Sequence, residues 1–219
     1  MATKKPAIIN GLQIGKVLQL DDPQGKDRVL VNMPAVDNTF KGIWTRIVSF
    51  DRGAFFPPEI GDEVIVGFIN DDPKDAVLLG VLYSSSNSSP IKAQSNDPIK
   101  GLTTRSQMHL TFNDKTRTIT IDTPLGNRIV LSDDDKAIEI QDVNGNKIIM
   151  NIDGIKLDSP RSITISAGTD ITISAGKSLH VHGASLSLKG DADVSIAGAT
   201  VKLAGTATTE ISGSIVKIN

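Results

Sequence analysis

The chain has 219 residues, with 23 Lys+Arg against 25 Asp+Glu and a formal net charge of -2. That balance, with aromatics at only 4%, argues against a nucleic-acid binder, which needs a basic excess and stacking platforms. There are no cysteines, so disulfides, thiolate catalysis and Cys-based zinc sites are excluded.

Residues 1–10 read as a loose leader, with no apolar run long enough for a signal peptide or a membrane span. Residues 11–84 read as a compact domain of five β-segments: "LQIGKVLQL", "RVLVNM", "IWTRIVSF", "DEVIVGFI" and "AVLLGVLY". Turn formers separate them ("DDPQGKD", "PAVDNTFKG", "DRGAFFPPEIG", "NDDPKD"). Five short strands without long helices predict a small barrel of the OB type. Residues 85–105, "SSSNSSPIKAQSNDPIKGLTT", are polar and aperiodic and read as a linker.

From Met108 onward the chain is a repeat. Pairs of large apolar residues two apart recur, from Leu110/Phe112, Ile119/Ile121 and Ile129/Leu131 through Ile138/Ile140 and Ile148/Met150 to Ile155/Leu157. They continue as Ile163/Ile165, Ile171/Ile173, Leu179/Val181, Leu186/Leu188, Val194/Ile196 and Val201/Leu203, then a weakened Thr209/Ile211, and end at Val216/Ile218. The step is 9 or 10 residues up to 148 and 7 or 8 beyond it. Such steps hold one strand and a tight turn, and Gly168, Gly176, Gly183, Gly190, Gly198, Gly205 and Gly213 fall in the turns. The alternate positions are polar, so each strand has one apolar face. One chain cannot bury that face, because a single-chain solenoid needs roughly 20 or more residues per coil. Three copies packing around an axis would bury it. This predicts an all-β chain with a lead-in over 106–158 and a shaft over 159–219. The six pairs from Ile163/Ile165 to Val201/Leu203 would form the trimer core.

Several motifs invite chemistry and are better explained by structure. The Asp runs at 133–135, 21–22 and 71–72 sit in expected turns, where Asp hydrogen-bonds its own backbone. No calcium-loop spacing accompanies them. From Ser159 to Asn219 there is no Phe, Tyr or Trp, and the carboxylates Asp170, Asp191, Asp193 and Glu210 are scattered, so sugar-processing catalysis is not expected. Serines occupy no nucleophile elbow. His109 alternates with Leu110 and should face away from the apolar side. Trp44 reads as barrel packing. His180 and His182 alternate with the inward Leu179 and Val181, which points them outward, and one pair supplies too few metal ligands. No catalytic residue, cofactor or metal site is expected.

The layout resembles the central spike of contractile injection machines: phage baseplate-assembly-V spikes and the valine-glycine repeat proteins (VgrG) of type VI secretion and extracellular particles. "GKDRVLVNMP", "GIWTRIVSF" and "PPEIGDEVIVGFINDDPKDAVLLGVLYSSSN" look like that family's OB domain. "MHLTFNDKTRTITIDTPLGNRIVLSDD", "SITISAGTDITISAGKS" and "GSIVKIN" look like its β-prism, shaft and shaft end. The large hub domains of VgrG proteins and the lysozyme domain of some phage spikes are missing from this sequence, which reads as a naturally short spike or as a fragment of a longer VgrG-like chain. The resemblance implies a homotrimeric, membrane-puncturing, non-enzymatic spike, assembled in the cytoplasm and delivered to or through a target envelope. Its OB domain would dock to a hub. A PAAR-repeat tip protein would dock on the edge formed by Val216, Lys217, Ile218 and Asn219. Some relatives bind iron through an axial His-x-His; here the phase of His180 and His182 is wrong for the axis. A receptor-binding tail fibre or adhesin stem is the alternative, opposed by the lack of an aromatic-rich recognition head.

Overall fold

The computed structural model describes residues 11–36, 41–85, 87–96 and 99–217. The expected leader, and Ile218 and Asn219 of the expected docking edge, lie outside the described residues. The chain divides into two units, residues 1–163 and 164–219. Among the described residues regular structure is all β, apart from one 3₁₀ turn at Ile69–Asp71.

The first five strands are β1 (Gln13–Gln19), β2 (Arg28–Asn32), β3 (Ile43–Ile47), β4 (Glu63–Phe68) and β5 (Ala76–Leu82). They close a barrel in the order β1-β2-β3-β5-β4, with β3 and β5 parallel and the other pairs antiparallel. This is the OB topology. Val17, Val29, Val31, Met33, Val64, Val66, Ala76 and Leu78 fill it, none more than 3% exposed. Gly15 admits this packing, since a Cβ there would lie 2.4 Å from Val31 Cγ1 and 2.8 Å from Met33 Cγ. Thr45 is buried with the core, and its Oγ1 donates to Ile43 O at 3.0 Å.

The β1–β2 loop is pinned by one carboxylate. Asp22, its side chain 2% exposed, accepts from Arg28 Nε (2.8 Å) and Nη2 (2.9 Å) and from the backbone N–H groups of Gln24 (3.0 Å) and Lys26 (3.1 Å). The Arg28 guanidinium sits 5.8 Å from the centre of the Trp44 ring, so Trp44 serves as a packing platform.

Residues 99–103, placed in a linker by their sequence, instead form a strand. β6 (Ile99–Thr103) pairs with β7 (His109–Asn113), which supplies the ladder that local composition did not announce. Gly101 allows close approach: a Cβ there would lie 2.5 Å from Leu110 O and 3.1 Å from Ile91 Cδ1. The connection to the barrel is also tied, because Asn87 Nδ2 donates to Asp62 Oδ1 at 2.8 Å.

The sheet continues as an antiparallel meander through β8 (Thr118–Asp122), β9 (Arg128–Ser132), β10 (Ala137–Gln141), β11 (Lys147–Asn151) and β12 (Gly154–Asp158). Four of its six hairpins share one turn design. Gln107, Gly126, Lys136 and Gly145 each donate a backbone N–H to the residue three before, and each has positive φ (62°, 98°, 49° and 86°). This is a tight turn closed by a left-handed residue, where glycine is the unstrained choice.

In the second unit the strands expected over 159–219 do not form within the chain: residues 164–217 are exposed and carry no strand. A strand needs a hydrogen-bonded neighbour, and residues 164–217 have none in ladder register in their own chain. The expected turns do appear, as bends at 168–169, 176–177, 184, 191–192, 199–200, 206–207 and 214. Two of the glycines there cannot be replaced freely. A Cβ on Gly190 would lie 2.2 Å from Asp193 O, and one on Gly205 would lie 2.3 Å from Thr208 O.

Three expectations follow. The Arg28 hydrogen bond, chiefly, and those from Gln24 and Lys26 hold the Asp22 carboxyl well below the usual carboxylate range, against the effect of its burial. A depressed carboxyl stabilises the fold above its unfolded pKa, about 4, and loses that contribution only as pH falls through the folded value. Asp22→Asn should therefore lower the melting temperature at pH 7, and the gap to the parent should close only well below pH 4. In the hairpins, Gly126→Ala should cost about 1–2 kcal/mol in a urea titration, from left-handed strain. Lys136→Gly should instead gain roughly 0.5 kcal/mol, since relief of that strain exceeds glycine's added chain entropy.

Candidate functional site

The most distinctive feature of the first unit is one face of the β6–β12 sheet. Residues directly opposite in an antiparallel pair share a face. The register sets Leu102, Leu110, Ile121, Ile129, Ile140, Ile148 and Leu157 in one row across seven strands. A second row beside it holds Phe112, Ile119, Leu131, Ile138, Met150 and Ile155. Every apolar pair from Leu110/Phe112 to Ile155/Leu157 therefore lands on this face, and Leu102 joins from the strand that sequence reading missed. The rows are uncovered: Ile121 is 45% exposed, Leu157 53% and Ile155 74%.

The opposite face is mostly polar, with Val130 and Ile149 in its central row. Its marginal row runs Thr103, His109, Asp122, Arg128, Gln141, Lys147, Asp158. His109 Nδ1 lies 2.8 Å from Asp122 Oδ2, on the side away from Leu110 and Phe112. Lys147 Nζ lies 2.6 Å from Glu139 Oε1. This alternation of charge suits a solvated surface.

The residues expected as a trimer core form no core within the single chain. Ile163, Ile165, Ile171, Ile173, Leu179, Val181, Leu186, Leu188, Val194, Ile196, Val201 and Leu203 are all 49–69% exposed. The physical reason is the one that leaves the segment without strands. Side chains two apart in an unpaired segment meet no facing apolar surface, so nothing in the chain removes them from water. In each of the six pairs the second member is the more exposed: Ile165 exceeds Ile163, Ile173 exceeds Ile171, Leu188 exceeds Leu186 and Ile196 exceeds Val194. The exposure thus repeats with the period of the sequence. Val216 and Lys217 of the expected docking edge are exposed as well, and so are His180 and His182.

The Asp runs serve their own turns. Asp135 accepts from Ser132 Oγ at 2.7 Å, Asp134 pairs with Arg117, and Asp72 accepts from Lys74 N at 2.9 Å. Asp142 accepts from the side chains and backbone N–H groups of both Asn146 and Asn144. Those bonds, the Asn146 side chain first, hold its carboxyl below the usual range and leave it no lone pair for a cation. Among the described residues no group of three or more His, Cys, Asp or Glu could hold a metal.

Sequence reading missed a second kind of feature, on the barrel. The β3–β4 loop exposes Phe50, Phe55 and Phe56, and Leu12, just before β1, and Ile14 within it are exposed too. The sequence places Phe55 and Phe56 in a turn segment and Phe50 at the end of the third β-segment. In β1 the apolar residues fall on both faces, so alternation gave no warning.

Among the described residues no helix is long and apolar enough to cross a membrane. No curated protein matches the chain. Residues 13–83 match the family described as the type VI secretion system/phage-baseplate injector OB domain, and the match spans all five barrel strands. That family is a structural one of the baseplate and spike. The barrel is therefore an injector OB domain of the type VI secretion system and phage-baseplate family.

Proposed function

We propose that the chain is the trimeric, non-enzymatic spike of a contractile tail or secretion particle, driven through a target envelope. The observation that carries this is the pair of apolar rows across seven strands. They lie uncovered in the single chain and have the same two-apart pattern as the repeat beyond residue 158. A monomer with such a face would aggregate. Three copies would cover one another's rows, bury the pairs from Ile163/Ile165 to Val201/Leu203 and supply the missing hydrogen-bond partners of residues 164–217.

The injector OB domain supports the baseplate end of this reading, with the barrel seated on a hub. At the other end, the last layer, from Val216 on, would offer unpaired backbone groups to a PAAR-type tip protein by strand addition. The mechanism is mechanical. Withdrawing one chain from an interwound shaft breaks many backbone hydrogen bonds together. Small outward side chains keep the shaft narrow.

Sedimentation equilibrium at micromolar concentration should give a mass near three times 23.2 kDa. A mass of one chain would remove the reading. Metal analysis of the same trimer should find no stoichiometric iron or zinc. About one ion per three chains would place His180 and His182 on the axis and overturn their outward phase.

A further inference from the structure

The barrel carries two dissimilar apolar features that its own fold leaves unused. The first is a set of aromatic knobs. Phe50, Phe55 and Phe56 are 86%, 72% and 64% exposed, half of the chain's six phenylalanines on one loop. The loop is braced: Ser49 Oγ lies 2.6 Å from Ala54 O, and Ala54 N donates to Asp51 O at 3.1 Å. The rings are thus held out by a preformed turn.

The second feature is a recess on the outer face of β1, β4 and β5. Ile14 is opposite Ile65, and Ile65 is opposite Gly80, so these three share the outer face. Gly67 lies beside them, with its absent Cβ 3.4 Å from Leu12 Cδ2 and 3.5 Å from Leu79 Cδ1. A Cβ on Gly80 would meet nothing within 4 Å. Two glycines therefore floor a shallow groove walled by Leu12, Ile14 and Leu79, which are 62%, 58% and 50% exposed.

We propose that this groove receives the aromatic loop of a second copy of this chain, joining barrels head to tail. The proposal rests on the oligomeric reading above and assigns it a contact. A closed ring of copies satisfies both features on every chain. A foreign partner in the groove would leave the aromatic loop needing a second one. At about 200 Å² per ring, the three phenylalanines leave roughly 400 Å² exposed. That is about half of the ~800 Å² each side of a standard interface covers, a fitting share for its apolar centre.

The chain has no cysteine, so pairs can be placed at will. The full-length double variant Leu79→Cys/Phe55→Cys should form covalent dimers and trimers on mild oxidation, seen on a non-reducing gel. Each single variant should stay at one-chain mass. In the assembled protein, the thiol of Phe55→Cys should also react with a maleimide at least about tenfold more slowly than that of the exposed Lys26→Cys, because access governs the rate. If the parent sediments as a trimer but the double variant gives no interchain link, or Phe55→Cys reacts as fast as Lys26→Cys, the groove has another occupant. This contact is then wrong while the oligomer stands. A single variant that links to itself would show a two-fold contact and overturn the head-to-tail arrangement. A parent of one-chain mass would remove both readings.

Discussion

Backbone register is the constraint on which the rest of the first unit depends. A shift of one residue in any hairpin of the β6–β12 sheet would move that strand's Ile and Leu pair to the polar face. The turns prevent such a shift. Each left-handed turn residue fixes the number of loop residues, and so fixes which residues face each other across the hairpin. A residue of positive φ in each turn, repeated along the meander, helps align thirteen apolar side chains into two straight rows. The sheet gains little from those rows within one chain, where water covers them.

The barrel solves the opposite problem. Its apolar residues point into a closed interior, and its loops are held by buried or shared carboxylates. Asp22 gathers two backbone N–H groups of its own loop and the guanidinium of Arg28 at the start of β2. Asp62 accepts both Glu59 N and the Asn87 side chain, each at 2.8 Å, and so joins the β3–β4 loop to the chain leaving the barrel. The two parts of the first unit therefore differ in kind: one is packed, the other is patterned for packing.

How much of this was legible in the sequence follows from that difference. The five barrel strands and the apolar pairs were readable because periodicity of two is a local signal. The facing of His109 followed from the same rule. β6 was not readable, because "IKGLT" has weak alternation and owes its conformation to β7. The groove at Gly67 and Gly80 was also hidden. It depends on three strands meeting in a register that includes an irregularity between Ile65 and Val66. In the second unit the glycine bends were legible as turn chemistry. The strands expected there belong to an assembly of three chains; a strand is a relation between segments, and residues 164–217 find no partner segment in their own chain. For the same reason Ile165, Ile173, Leu188 and Ile196 keep their spacing but find nothing to pack against in their own chain.

The tie between Asn87 and Asp62, with Ile91 seated over Gly101, has a consequence for load. A flexible connection transmits tension only after it is drawn taut, and it transmits compression poorly. Here the segment between barrel and sheet is fastened near both ends, so a push on one is borne at once by the other. The compliance of the first unit is thereby set by a few short polar and van der Waals contacts, and a single substitution at Asp62 would soften it without unfolding either part.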